Sequence, residues 1–272
     1  MTDNGGAAQP YYVPTGDEVE LFQTAYEQRI PVLLKGPTGC GKTRFVEYMA
    51  WLTGGHGAPD RPPLVTITCH DDLTTADLVG RYLLSADGTT WLDGPLTKAV
   101  KEGGICYLDE VVEARKDTTV VLHSLTDHRR MLPIDRLGVT LDAHPDFLLV
   151  VSYNPGYQVS SKDLKPSTRQ RFLAIEFDYP AEDHEAEIIA HESGVDTETA
   201  AALAHLASRL RRLDSVDILD GPSTRLLVYA GSLISRGVEP DRACDVAVVQ
   251  ATSDDRDVQD AVRQVVRAVM PS

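Results

Sequence analysis

The sequence predicts an α/β fold: a parallel five-stranded sheet sandwiched by helices over residues 1–178, then a small all-helical domain over 179–272. Three observations carry this expectation. Five short apolar, β-rich runs punctuate the first two thirds of the chain, with helical or mixed segments between them, as in βαβ units. The first run leads into Gly36-Pro37-Thr38-Gly39-Cys40-Gly41-Lys42-Thr43, and a helical stretch follows. After Tyr179-Pro180 the β-rich runs stop and a helical period takes over.

In chain order, Ile30–Leu34 reads as a buried strand and Arg44–Leu52 as a helix. The remaining strands are expected at Leu64–Thr68, Ile105–Leu108, Phe147–Tyr153 and Leu173–Phe177. Their near-continuous apolar character suits strands covered on both faces. Two insertions interrupt the alternation. One, Asp77–Pro95, carries an Asp87-Gly88 turn signal between Arg81–Leu84 and Thr89–Trp91. The other reads as a hairpin: Arg130–Ile134, a turn at Asp135–Gly138, then Val139–Leu141. In the last third, Leu203, Leu206, Leu210 and Leu213 mark an amphipathic helix over Thr199–Leu213. Gly221-Pro222 is expected to open another helix with proline in its first turn. Val258, Val262, Val265, Val266 and Val269 mark a terminal helix. No internal repeat or low-complexity stretch stands out.

Composition bounds the function. At 42% hydrophobic and 25% charged, the chain reads as an ordinary globular protein. No apolar run is long enough to span a bilayer, and Met1–Pro10 lacks the apolar segment of a secretory signal. A cytoplasmic protein without membrane insertion is expected. The four cysteines are scattered, and no pair has metal-ligand spacing, so reduced thiols are expected. The net charge of −15 argues against a nucleic-acid backbone as partner. From Asp178 onward there are 18 acidic and nine basic residues, read as a solvated surface rather than a docking face.

The segment Gly36–Thr43 satisfies G-x-x-x-x-G-K-[ST] in the required strand–loop–helix context. Its glycines let successive backbone N–H groups turn inward onto phosphate oxygens, and the helix N-terminus adds its positive dipole end. Lys42 would reach the β- and γ-phosphates of a nucleoside triphosphate, and the Thr43 hydroxyl would sit on Mg²⁺. Cys40 reads as a small filler. About seventy residues on, the strand Ile105–Leu108 ends in Asp109 and Glu110. Asp109 could hold Mg²⁺ through water, while Glu110 polarises the attacking water. Asn154, at the tip of another strand, could orient the same water or sense the γ-phosphate. Arg169 and Arg171 precede the last strand and are open to two readings: a guanidinium supplied to a neighbouring subunit's nucleotide, or surface arginines. Arg225, near a helix start, is equally open between a γ-phosphate contact and solvent exposure. His70-Asp71-Asp72 is read as loop and helix-capping polarity, because adjacent residues cannot readily share one ion.

These motifs, in this order, resemble the AAA+ ATPases, and the two insertions resemble the MoxR branch. GPTGCGKTRFV (36–46), CHDDLTTADLVGRYLL (69–84), ICYLDEVVEARKDTTV (105–120), YNPGY (153–157), STRQRFLAIEFDYP (167–180) and STRLLVYAG (223–231) resemble the CbbQ/NirQ/NorQ family over nearly the whole chain. The resemblance implies a P-loop NTPase core with a C-terminal helical lid, in a ring, usually a hexamer, with ATP between subunits. Gly36, Pro37, Thr38, Gly39, Cys40, Gly41, Lys42, Thr43 and Arg44 would line the nucleotide. Thr43 and Asp109 would hold Mg²⁺, and Glu110, Lys42 and Asn154 would act in hydrolysis. Arg171 matches the trans-acting arginine finger, with Arg169 as runner-up, and Arg225 matches sensor 2.

Family members work with a partner carrying a von Willebrand factor A domain. One type, with CbbO, reactivates Rubisco by releasing inhibitory sugar phosphates; the other, with NorD, matures or activates nitric oxide reductase. Overall likeness favours the Rubisco type. The expected protein is a motor whose insertions reach its target, with Tyr82 and Trp91 read either as contact aromatics or as core. A small-molecule P-loop kinase would leave the trans arginine and the insertions without a use. A nucleotide-gated switch without turnover fits Glu110 and Asn154 poorly. The acidic charge disfavours a DNA-handling ATPase.

Overall fold

A computed structural model describes residues 8–54, 64–86, 88–155, 164–212 and 221–270. Several residues singled out in the sequence, among them Asp87 of the expected turn and Leu213 of the expected helix, lie outside the described residues. The contacts divide the chain into two compact units. The first comprises Met1–Gly36 with Lys42–Glu176; the second comprises Pro37–Gly41 with Phe177–Ser272.

The first unit holds α1 (Glu18–Gln28), β1 (Val32–Lys35), α2 (Lys42–Thr53) and β2 (Leu64–Thr68). These are followed by α3 (Thr75–Val79), β3 (Gly80–Ser85), β4 (Gly88–Asp93), α4 (Pro95–Glu102) and β5 (Gly104–Asp109). It is completed by α5 (Lys116–Leu122), β6 (Met131–Ile134), β7 (Val139–Asp142), β8 (Phe147–Tyr153), α6 (Pro166–Arg169) and β9 (Leu173–Glu176). The main sheet has the order β2-β5-β8-β1-β9 and all its pairings are parallel. Every residue of β8, at the centre, is buried, which accounts for its unbroken apolar run. In register, Val32 faces Val150 on one side and Leu173 on the other, Leu108 faces Val151, and Thr68 faces Asp109. The C-terminal ends of β1, β5 and β8 therefore fall level, at the edge where parallel α/β sheets hold their ligands.

The first strand starts two residues later than its apolar run suggests. Arg29 closes α1 in the left-handed conformation (φ 58°), so Ile30 belongs to the turn, its amide donating to the Ala25 carbonyl. Helix α1, for which the sequence carried no specific expectation, buries Phe22 edge-on against Phe45 of α2 at 5.4 Å.

Both insertions are antiparallel hairpins, β3 with β4 and β6 with β7. The second begins at Met131 rather than Arg130, because Arg130 is left-handed (φ 49°) and its guanidinium turns inward to the His144 and Phe147 carbonyls. Gly80 opens β3 where no side chain fits: a Cβ would come within 2.6 Å of the Trp91 ring. Helix capping near here falls to Thr74, which forms a capping box with Asp77. It does not fall to His70-Asp71-Asp72, which lies in the loop and turn before the helix.

The second unit is helical: α7 (Glu182–Ser193), α8 (Thr197–Arg211), α9 (Thr224–Ile234), α10 (Pro240–Cys244), α11 (Gln250–Thr252) and α12 (Arg256–Val269), with a π turn over Asp245–Val249. Leu203, Leu206 and Leu210 of α8 pack with Ile189, Leu227, Val262 and Val266 in its core. Helix α9 starts at Thr224, so Pro222 precedes the helix instead of sitting in its first turn. The cause lies in a distant arginine. The Arg211 guanidinium takes the Pro222 carbonyl through Nε (3.0 Å) and Nη2 (2.7 Å). The same guanidinium forms a bidentate pair with buried Glu185, 2.8 Å at each oxygen, and Thr224 adds a 2.6 Å hydrogen bond to that carboxylate.

Candidate nucleotide site

Between the end of β1 and the start of α2, Gly39 (φ 71°) and Gly41 (φ 100°) take left-handed conformations that residues with a Cβ adopt only under strain. Lys42, the first residue of α2, is buried. Its ammonium donates to the Gly36 carbonyl and to the Asn154 Oδ1, each at 2.8 Å. The strand order thus brings Asn154, 112 residues away in sequence, onto the loop lysine.

One strand over, Asp109 is gripped from two sides. Its Oδ1 accepts from the Tyr107 hydroxyl at 2.7 Å and from the Ser152 hydroxyl at 2.5 Å. Ser152 in turn accepts the Glu110 backbone N–H at 3.0 Å. Glu110 itself is left-handed (φ 55°, ψ 48°), a conformation that costs a non-glycine residue about 1–2 kcal/mol. That turn stops β5 and points the chain away from the sheet. The Glu110 carboxylate then meets the Asn154 amide at a long 3.4 Å. Burial, followed by the Asp109 charge, pushes the Tyr107 phenol up, and its hydroxyl is also hydrogen-bonded with Thr43. Cys69, whose amide donates to the Asp109 carbonyl at 2.9 Å, has its thiol pushed up to about 12 by burial and then by the Asp109 and Glu110 charges.

Tyr107 and Ser152 were not singled out from the sequence. Their signals were there: Tyr107 stands two residues before Asp109, on the same face of a strand, and Ser152 is the one serine in an apolar run. The donor set fits the implied ligands. A buried lysine at a helix start suits phosphate oxygens, and a threonine hydroxyl and a carboxylate that share the Tyr107 hydroxyl suit a hard cation that prefers oxygen.

The other candidates are spread more widely. Arg44 pairs with Glu47 on the α2 surface at 3.2 Å, and Cys40 is buried. Arg169 ends α6 and is exposed; Arg171 is exposed and reaches the His123 carbonyl at 3.4 Å. Neither makes a described bond to Lys42, Asp109 or Asn154. Within the second unit, the Tyr179 hydroxyl donates to the Thr38 carbonyl at 3.2 Å, and a Cβ on Gly39 would come within 2.6 Å of that of Ser223. Exposed Arg225 follows two residues on. Among the described residues, no group of three or more His, Cys, Asp or Glu side chains forms a further metal site.

A parallel sheet with a glycine-rich lysine loop at one strand end, an asparagine at the next and paired carboxylates at the one beyond defines a P-loop NTPase of the AAA class. Residues 31–172 match the family described as AAA domain (dynein-related subfamily), and residues 185–269 match CbbQ/NirQ/NorQ C-terminal. The chain belongs to the CbbQ/NirQ/NorQ family of MoxR-type AAA+ proteins. It is 59% identical to Protein CbbQ of Hydrogenophilus thermoluteolus, over 94% of this chain and 93% of that one. It is 56% identical to Protein NorQ of Paracoccus denitrificans (strain Pd 1222), over 98% and 96%. Among solved structures, a point mutant of Thermotoga maritima RuvB shares the fold at 18% identity, with a TM-score of 0.52 over 93% of this chain and 71% of that one.

Proposed function

We propose that this protein hydrolyses ATP and uses the cycle to remodel a target enzyme, together with a partner carrying a von Willebrand factor A domain. The observation that carries the reading is the linked set at the strand ends: Lys42 on Asn154, Asn154 on Glu110, and Asp109 alongside. Lys42 would exchange its carbonyl and amide acceptors for β- and γ-phosphate oxygens. Once Lys42 leaves it, Asn154 is positioned to orient a water, and Glu110 to take that water's proton as it attacks. Thr43 and Asp109 would hold Mg²⁺, which neutralises charge on the phosphate oxygens. Arg171, with Arg169 as the alternative, would act on a neighbour's nucleotide in a ring, expected to be a hexamer. Arg225 would report the γ-phosphate to the helical unit.

Two targets follow from the family resemblance. The CbbQ-like reading, release of inhibitory sugar phosphates from Rubisco in the cytoplasm, is favoured slightly by overall likeness. The NorQ-like reading, activation of nitric oxide reductase, rests on nearly equal identity, 56% against 59%. Phosphate release from purified protein with Mg-ATP tests the enzyme reading. Turnover that disappears in Glu110→Gln while ATP binding persists supports it, and turnover that survives removes Glu110 from the mechanism. Capture of ATP-loaded Glu110→Gln protein from native extract, read by mass spectrometry, decides between Rubisco and nitric oxide reductase.

A further inference from the structure

The two insertions do more than protrude. Together with α5, hairpins β3–β4 and β6–β7 wall a cleft of about 580 Å³ in the first unit. Its lining includes Val79, Trp91, Val121 and Ile134, with Arg136 and Arg171 on the polar side. The hairpins are tied across it, because the Tyr82 hydroxyl donates to the Arg136 carbonyl at 3.3 Å and the Tyr82 ring meets Trp91 edge-on at 5.1 Å. Trp91 is half-buried here, so of the two aromatics Tyr82 is the more exposed.

Two features of the cleft point outward. The first is apolar exposure. Among the described residues, four of the nine exposed large apolar side chains sit on the cleft side of these walls: Tyr82 and Leu84 on the Trp91 face of β3–β4, Val139 opposite Ile134, and Val120 of α5, with Leu84 at 90% exposure. Such concentration on one face marks an interaction surface. The second is charge. Asp127 and Arg129 neutralise each other at 2.6 Å, leaving Arg136, Arg171 and Asp135 as the other formal charges lining the cleft. Arg136 makes no described side-chain bond, and Lys165 and Arg169, on the same segment as Arg171, are exposed without an ion pair among the described residues. Burial and then the Arg171 and Lys165 charges hold the His123 imidazole, which also lines the cleft, below its usual range. A cationic cleft on a chain of net charge −15 is a local reversal of sign.

We propose that this cleft is the docking site for an acidic segment of the partner protein, one that carries apolar side chains between its carboxylates. The carboxylates would pair with Arg136 and Arg171, which leaves the trans role on a neighbour's nucleotide to Arg169, and the apolar side chains would cover Tyr82 and Leu84 on the Trp91 face of the β3–β4 hairpin. A small anion would satisfy the arginines but leave Leu84 in water, which is why a polypeptide fits better. The proposal rests on the remodelling function above, whose partner it describes.

The test uses the full chain and two short fluorescein-labelled peptides, one of alternating Glu-Glu and Leu-Leu pairs and the other with lysine for glutamate. Anisotropy is recorded without nucleotide, and phosphate release is recorded separately. The acidic peptide is expected to bind and the basic one not, with affinity falling as salt rises. Arg136→Glu and Leu84→Asp should each weaken binding about tenfold or more, with basal turnover and melting temperature unchanged. Arg136→Ala gives a milder version should charge reversal disturb the hairpin. Equal binding of the basic peptide, or unchanged binding in Arg136→Glu, overturns the proposal. Displacement by inorganic phosphate alone would replace it with a small-anion site. Self-association lost in Arg136→Glu would replace it with a second copy of the chain. Absence of turnover in the wild type would sink the ATPase reading while leaving the peptide result to stand by itself.

Discussion

Two of the polar networks among the described residues, one from each unit, differ in how completely they are satisfied. In the helical unit, both oxygens of Glu185 are taken at 2.6–2.8 Å by Arg211 and Thr224, and the spare Arg211 donors close on Pro222. The Arg211 guanidinium also stacks over the Tyr179 ring at 3.7 Å. At the sheet edge, by contrast, Glu110 has a strained backbone and a carboxylate whose described bond to Asn154 is a long 3.4 Å. A satisfied buried network holds a structure in place; one drawn loosely around a strained residue is held ready for something else.

Parallel substitutions would sharpen that contrast. The largest effect is expected from Glu110→Gln, which should reduce phosphate release by about 10²–10⁴-fold with the melting temperature nearly unchanged. A melting temperature that fell with the activity would make the two networks alike. Next comes Glu185→Ala, which leaves part-buried Arg211 beside an empty carboxylate position and should cost about 3–5 kcal/mol in urea unfolding. A loss below about 1 kcal/mol would place this pair with exposed ones. Ser152→Ala removes the hydroxyl joining Asp109 to the Glu110 amide. It should cost about 1–3 kcal/mol and lower turnover as well, the one change here expected to register in both assays.

The smallest effect concerns His123. Burial and the Arg171 and Lys165 charges depress its folded pKa, so above about pH 6.5 it is neutral in both states and its full contribution is present. As pH falls below that value the unfolded chain takes the proton first, and stability is lost progressively down to the folded pKa. His123→Gln should flatten the fall of the urea midpoint as pH drops below about 6.5. An unchanged slope would show that His123 does not feel those cations.

The sheet was legible because local pattern and tertiary environment agree there. Strands such as Phe147–Tyr153, buried on both faces, announce themselves as apolar runs, and the phosphate loop has a spacing that backbone chemistry imposes. Legibility failed where a distant partner decides a local matter. Nothing near Gly221-Pro222 reveals that Arg211 will hold Pro222 out of the helix, and Glu185, read as part of a solvated acidic surface, is 1% exposed. Capping by Thr74 instead of His70-Asp71-Asp72 was a choice between adjacent polar groups that composition could not make. At the site, the motif residues were readable by spacing, while Tyr107 and Ser152 matter through the strands they share with them.

The left-handed backbone at Glu110 has a consequence for anyone improving this protein. Glycine or asparagine relieves such a conformation at once, so either replacement at position 110 would raise heat resistance while removing the carboxylate. On the proposed mechanism, a library screened by survival at high temperature would therefore be enriched in attractive, well-behaved clones without turnover. Selection for durability has to be coupled to a turnover assay, or it will discard a carboxylate held on a strained backbone.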